Sequence, residues 1–398
     1  MERMMKSNSR IVEFFNSNPK GSVIDAVRSS PRYRDRFSVV PGEADAFCAR
    51  HVAQDGGTVM TSDSDLLAHD LGNGKVVFLR EIHRTAEGQL SCLIFNPREI
   101  HGRIGLPASV EPWRFAYERK HSPNATLSRL VSACSLPVVD AVGYDEFRQQ
   151  YLHRQGAGAL PSLVASGGAT PLRLDGLDPR LSELILQLGP DAADASIFLS
   201  ALIENPLRGT VWEPSMSTRR LAYSIAGWLT GCPPSLPVYE FRRVRQRSQK
   251  GRQLTLIHPD DIAATISSSI LAIRRSTRKS AGDADPRHWI ILSFLLDVAG
   301  CEEQGKASHL LETLRKGYTP SPKSAGRLPW DIAHFAAQVQ ASLYSLRILA
   351  QVLGLLPRDC EGAFGGSLWQ LRGLLSRFPS LLWERTPRTT KSPARHEK

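Results

Sequence analysis

No long apolar run interrupts this sequence: the longest strongly apolar stretch, Trp289 to Leu296, stops at Asp297. A membrane-spanning helix needs about 20 apolar residues, so no membrane span or membrane partner is expected. The polar opening MERMMKSNSR predicts no secretory leader. Cysteine is scarce, with 6 residues and no CxxC pair or Cys-His cluster at zinc spacing. That argues against a disulfide framework or a zinc ribbon and predicts reduced, mostly buried thiols in an intracellular protein, nuclear or cytoplasmic. The chain also lacks HExxH, GxGxxG, GxSxG and a GxxxxGK loop followed by Ser or Thr. The commonest zincin, dinucleotide, hydrolase-elbow and P-loop chemistries are thereby excluded, and no nucleotide cofactor is expected.

What is present is a globular composition, 41% apolar and 22% charged over 398 residues, enough for two or three packed cores and unlike a disordered chain. The formal net charge of +11 is unevenly spread, because residues 242–279 hold ten Lys and Arg against only Asp260 and Asp261. Localised positive charge suits a polyanionic partner, or a merely solvated face.

Residues 1–20 are polar and weakly patterned and are expected to be a flexible N-terminus. A compact α/β domain is expected over 21–107, built as strand (Phe37 to Val40), helix (Ala44 to Val52), strand (Thr58 to Thr61), with the two strands parallel. Lys75 to Leu79 and Leu90 to Phe95 predict an antiparallel hairpin, and Asn96-Pro97-Arg98-Glu99 predicts a capped helix start. Residues 108–384 read as a mainly α-helical domain, with apolar faces at Arg180–Leu188, Ala192–Ile203, Thr218–Leu229, Asp261–Ile273, Trp289–Val298, Ala307–Leu314, Ile332–Leu353 and Leu368–Phe378. A basic hairpin or loop interrupts them near 238–258, and residues 385–398 are expected to form a disordered basic tail.

The spacing with most chemical content is Gly42-Glu43-Ala44-Asp45 followed by Thr61-Ser62-Asp63-Ser64-Asp65. If the strand-helix-strand reading holds, both acid pairs fall on one rim of a parallel sheet, where open α/β folds place their sites. Four hard oxygen donors there suit Mg²⁺ or Mn²⁺, and two such ions about 4 Å apart can activate water against a phosphodiester. The plain reading is a helix first turn favoured by the macrodipole and an Asp-Ser-Asp Asx turn.

The segments Val39-Val-Pro-Gly-Glu-Ala-Asp45, Phe47-Cys48-Ala49 and Val59-Met-Thr-Ser-Asp-Ser-Asp-Leu-Leu67 resemble the internal region of XPG/flap-endonuclease nucleases, particularly the Asteroid branch of that PIN-like superfamily. The similarity covers about residues 22–106 and fades beyond 130. It implies a PIN-like α/β fold, an incomplete parallel sheet with an antiparallel hairpin, in which Glu43, Asp45, Asp63 and Asp65 correspond to catalytic, metal-binding carboxylates. Family nucleases carry a first strand and further acids upstream, whereas only residues 1–42 precede Glu43 here. The family's Gly-x-Asp-Tyr element also has no counterpart in Arg114-Phe-Ala-Tyr-Glu-Arg-Lys-His121. The expectation is a truncated, nuclease-related protein that binds Mg²⁺ or Mn²⁺ weakly and cleaves nucleic acid poorly or not at all. If active, it would be a structure-specific endonuclease.

A second constellation, Tyr239-Glu-Phe-Arg-Arg-Val-Arg-Gln-Arg-Ser-Gln-Lys-Gly-Arg252, sets basic residues among aromatics, as phosphate contact with base stacking would require. Candidate nucleic-acid contacts are Arg242, Arg243, Arg245, Arg247, Lys250 and Arg252, with Arg274 and Arg275 further on. The plain alternative is a solvated loop and a helix end. His51 reads as a core or boundary histidine, His69 as core or ligand, and the stripe Trp369, Leu371, Leu374, Leu375, Phe378 as internal packing that could instead dock a protein. The competing function is a non-catalytic protein-interaction scaffold built on a nuclease remnant, with the helical domain binding the partner.

Overall fold

The helix expected after Pro41-Gly42 forms as α1, Ala44–Asp55, and buries Ala49 and Val52. Gly56 and Gly57, both with positive φ, reverse the chain into β1, Thr58–Thr61. The computed structural model describes residues 26–27, 30–38, 40, 44–148, 151, 172, 174, 177–244, 247–277, 286–317, 329–357, 360, 363–376 and 378. Glu43, Arg245 and the two expected terminal segments, 1–20 and 385–398, lie outside the described residues. By internal contacts the chain groups into two units, Val40–Pro161 and Met1–Val39 with Ser162–Lys398.

In the smaller unit β1 pairs in parallel with β2, Lys75–Phe78, with Thr58 opposite Lys75 and Thr61 opposite Phe78. The expected parallel partner was Phe37 to Val40, but residues 37, 38 and 40 take no strand conformation. A parallel pair needs a crossover of about a dozen residues. Residues 62–74 supply it through a 3-10 turn at Asp65–Ala68. Leu66 and Leu71 pin that crossover to Ala49, Val52, Val76 and Phe78 in one core.

The hairpin is also displaced from its expected register. A 3-10 turn at Leu79–Glu81 ends β2, so the antiparallel pair is β3, Ile82–Arg84, with β4, Leu90–Cys92. β2 meets the returning chain only at a bridge, where Val76 and Phe95 exchange backbone bonds of 2.8 Å. Next comes α2, Pro97–Arg103, capped as expected: Asn96 Oδ1 accepts from the N–H groups of Arg98 at 3.1 Å and Glu99 at 3.4 Å. The Asn96 amide in turn donates to Glu99 Oε1 at 3.2 Å.

Three further helices complete this unit: α3, Pro112–His121, α4, Leu127–Cys134, and α5, Ala141–Arg148. Tyr117 of α3 packs edge-on against Tyr144 and Phe147 of α5. Buried Arg114 ties α3 to α4 through the carbonyls of Ala133 and Leu136. The sequence pattern joined these helices to those downstream, whereas by contact they group with the strands.

The larger unit holds α6, Pro179–Gln187; β5, Ala195–Phe198; α7, Met216–Thr230; β6, Pro237–Val244; β7, Arg247–Thr255; α8, Pro259–Thr277; α9, Pro286–Glu303; α10, His309–Lys316; α11, Trp330–Gly354; and α12, Ser367–Leu375. α11 is buried along most of its length. A single large core joins α6, α7, α8, α11 and α12 to the sheet. Of the expected α12 stripe, Leu371 and Leu375 are buried in it and Leu374 and Phe378 pack against it, so these four pack internally.

The expected basic hairpin is β6 and β7, antiparallel. It extends a sheet that begins with β5, parallel to β6. Ala192–Ile203 was expected to be helical. Instead Ala195 and Ile197 point inward while Ser196 and Phe198 point outward, the two-residue period of a strand. Gly251 faces a bulge between Glu240 and Arg242, where an added Cβ would overlap the Glu240 carbonyl. Among the described residues no helix is long and apolar enough to cross a membrane, and all six cysteines are free thiols.

Candidate acid site and basic hairpin

Asp63 and Asp65 lie immediately past the C-terminal end of β1, the edge at which parallel α/β sheets place their sites. The chain turns there because the Asp63 amide donates to Thr61 Oγ1 at 3.0 Å and the Asp65 amide to Asp63 Oδ1 at 3.2 Å. The two carboxylates are thus held as neighbours. Burial, and then the charge of Asp63, push the Asp65 carboxyl above its ordinary range.

Asp45 sits in the first turn of α1, where its charge adds to burial in raising the Cys48 thiol. Among the described residues no three His, Cys, Asp or Glu side chains come together as a metal-binding group. The donor chemistry of Asp63 and Asp65 nevertheless fits Mg²⁺ or Mn²⁺: both offer hard oxygens, and their repulsion is what a divalent cation would relieve.

Two further side chains lie at this turn: His69, which the sequence left between core and ligand, and Tyr151, which it did not single out. His69, buried, caps the 3-10 turn that Asp65 begins, and the Tyr151 ring lies against it with centroids 4.9 Å apart. Burial, followed by the charges of Asp65 and Asp63, raises the Tyr151 phenol. Nothing local in the sequence links Tyr151 to an acid pair so far upstream. His51, read as a core or boundary histidine, is instead exposed and pairs with Asp55 at 2.9 Å.

The basic hairpin is partly neutralised from within the fold. Arg242 Nη2 lies 3.0 Å from Glu213 Oε2 with its side chain nearly buried, and Arg252 pairs with the same carboxylate. These two candidate cations are therefore engaged structurally. Arg243, Arg247 and Lys250 lie on the strands of the hairpin. Arg274 and Arg275 are exposed in the last turn of α8, where cations also complement the helix dipole.

Beneath the sheet, Arg219 and Glu240 form a fully buried bidentate pair, with Nε to Oε1 at 2.6 Å and Nη2 to Oε2 at 2.8 Å. The Tyr223 hydroxyl donates to Glu240 Oε1 at 3.0 Å. Arg219 also donates to Ser215, Ser345 and the Trp212 carbonyl.

A two-stranded parallel element in the smaller unit carries paired acids at a strand end, the position at which parallel α/β folds place their sites. A family model described as XPG domain containing matches residues 21–256, more than half of the chain. The chain belongs to this XPG-domain family. The match includes the acid-bearing segment and runs on through β7, well past the stretch over which the sequence resemblance is evident. Comparison with the curated proteins and with the solved structures gives no match.

Proposed function

We propose that this chain is an Asteroid-type, PIN-like member of the XPG family that binds nucleic acid, with at most weak metal-dependent phosphodiester hydrolysis. The observation that carries the reading is the Asp63–Asp65 pair at the C-terminal end of a parallel strand within the family-matched segment. Residues 21–107 are assigned as the nuclease-like part, and the helices and basic sheet that follow as the part that engages the polyanion.

Asp63 and Asp65 would supply the fixed ligands for Mg²⁺ or Mn²⁺, and Glu43 and Asp45 are proposed to complete the set. Bound there, the ion supplies Lewis-acid stabilisation of phosphate oxygens. The chain's own contribution is to hold the two carboxylates in the Asx turn and to place the Tyr151 phenol nearby. Arg243, Arg245, Arg247, Lys250, Arg274 and Arg275 are proposed to contact phosphate, whereas Arg242 and Arg252 support the hairpin through Glu213.

A cleavage assay with Mn²⁺ on flap, hairpin and single-stranded substrates, run beside salt-dependent binding, tests this. Expected are binding whose log affinity falls with log salt at a slope of about −5 for duplex, from roughly six phosphate contacts, and slow cleavage or none. Efficient cleavage abolished by Asp63→Ala would overturn the weak-activity part. Neither binding nor cutting would favour the non-catalytic scaffold.

A further inference from the structure

The three-stranded sheet of the larger unit has one buried face, and on β5 and β6 the described positions of the other are half-buried except Phe198, which is exposed. Ala195, Ile197, Val238, Glu240 and Leu254 turn inward, and Ser196, Phe198, Tyr239 and Phe241 occupy the alternate positions. On that side Phe198 lies in register with Phe241. Their rings stack with centroids 4.7 Å apart and planes inclined by 17°. Phe198 is nevertheless 52% exposed, so an aromatic ring with a neighbour on one side stands open to solvent.

An exposed phenylalanine costs apolar hydration unless something covers it. What could cover this one is indicated by charge: β6 and the β7 that follows it carry Arg242, Arg243, Arg247, Lys250 and Arg252. The only acid in those two strands is Glu240, which is committed to Arg219. Glu213 pairs with Arg242 and Arg252, and by sequence the hairpin carries Arg243, Arg247 and Lys250 besides. An apolar protein surface would gain nothing from that charge, and a duplex, whose bases already stack on each other, would gain nothing from the ring.

We infer that the Phe198–Phe241 stack is a platform for an unpaired nucleobase, and that the larger unit binds single-stranded nucleic acid along the β6–β7 hairpin. The inference rests on the nucleic-acid reading above and deepens it by naming the strand form and the site. A base stacks on the free face of Phe198, extending the Phe198–Phe241 pair, while hairpin cations meet the phosphates on either side. Stacking of this kind tolerates any base, because each presents a π-face.

The test uses the full chain and fluorescence anisotropy with labelled oligothymidylate, an abasic strand of equal length and a duplex. Phe198→Ala should weaken oligothymidylate binding about tenfold, leave the salt slope unchanged, and leave abasic and duplex binding unaffected. Phe198→Trp should restore the affinity. Circular dichroism should show both variants folded, as expected for a half-exposed side chain. Wild-type affinity in Phe198→Ala, or an equal loss on the abasic strand, would overturn the platform while leaving the broader binding reading intact. No salt-dependent binding by the wild-type chain would overturn both.

Discussion

At the scale of single residues, Asp65 is the informative group. Its carboxyl is raised by burial and by Asp63. Between the ordinary 3.8 of the unfolded chain and that raised value, the folded state keeps a proton the unfolded state has released. Stability therefore falls as pH rises through this window, and the full cost persists above it. Asp63→Asn removes the like charge and leaves the burial, so Asp65 should titrate at lower pH than in wild type, and less stability should be lost on leaving acid. A carboxyl-carbon NMR titration measures the first effect directly, and an unchanged midpoint would mean that the two groups do not interact. If the pair holds a divalent ion, Mn²⁺ should raise the wild-type Tm, by about 1.4 kcal/mol of stability at ten times Kd. Asp63→Asn should respond far less, and this readout needs no catalytic activity.

At the scale of elements, what was legible in the sequence was local. The cap at Asn96, the helix after it and the long apolar periods of α7, α8, α9 and α11 are specified by residues a few positions apart, and they form where expected. β5 was not legible, because four residues of alternation within an apolar stretch also satisfy a helical period. The pairing of β1 with β2 was missed for a related reason: register between strands depends on a crossover whose anchoring leucines show their burial only in three dimensions. Of the candidate site, the Asp63–Asp65 turn was readable because it is closed by bonds two residues apart. The Tyr151 neighbour, the Glu213 pairing and the Phe198–Phe241 stack all join distant segments. The same is true of the Arg219–Glu240 pair, where composition shows only a glutamate in a basic run. Glu240→Gln leaves the Arg219 guanidinium buried without its counter-charge, and should cost about 3–5 kcal/mol in chemical denaturation. Gly251→Ala should also destabilise this sheet, because the bulge leaves no room for a Cβ beside the Glu240 carbonyl.

At the scale of the whole molecule, two units with separate apolar cores imply that unfolding is not a single event. The smaller core centres on Leu66, Leu71, Val76 and Phe78 and the larger on the helices around α11. Chains of several units commonly depart from two-state behaviour, so calorimetry should resolve two transitions, each answering to its own core. Leu66 is fully buried, and Leu66→Ala removes its packing at a cost of about 2–5 kcal/mol. That change should lower the transition of the smaller unit and leave the other in place, while Glu240→Gln should do the reverse. Oligothymidylate should then raise only the transition that Glu240→Gln lowers, and Mn²⁺ only the one that Leu66→Ala lowers, because each ligand is assigned to residues of one unit. A single transition displaced equally by both substitutions would show instead that the acid pair and the basic sheet share one cooperative fold, and ligand at either site would then stabilise the whole.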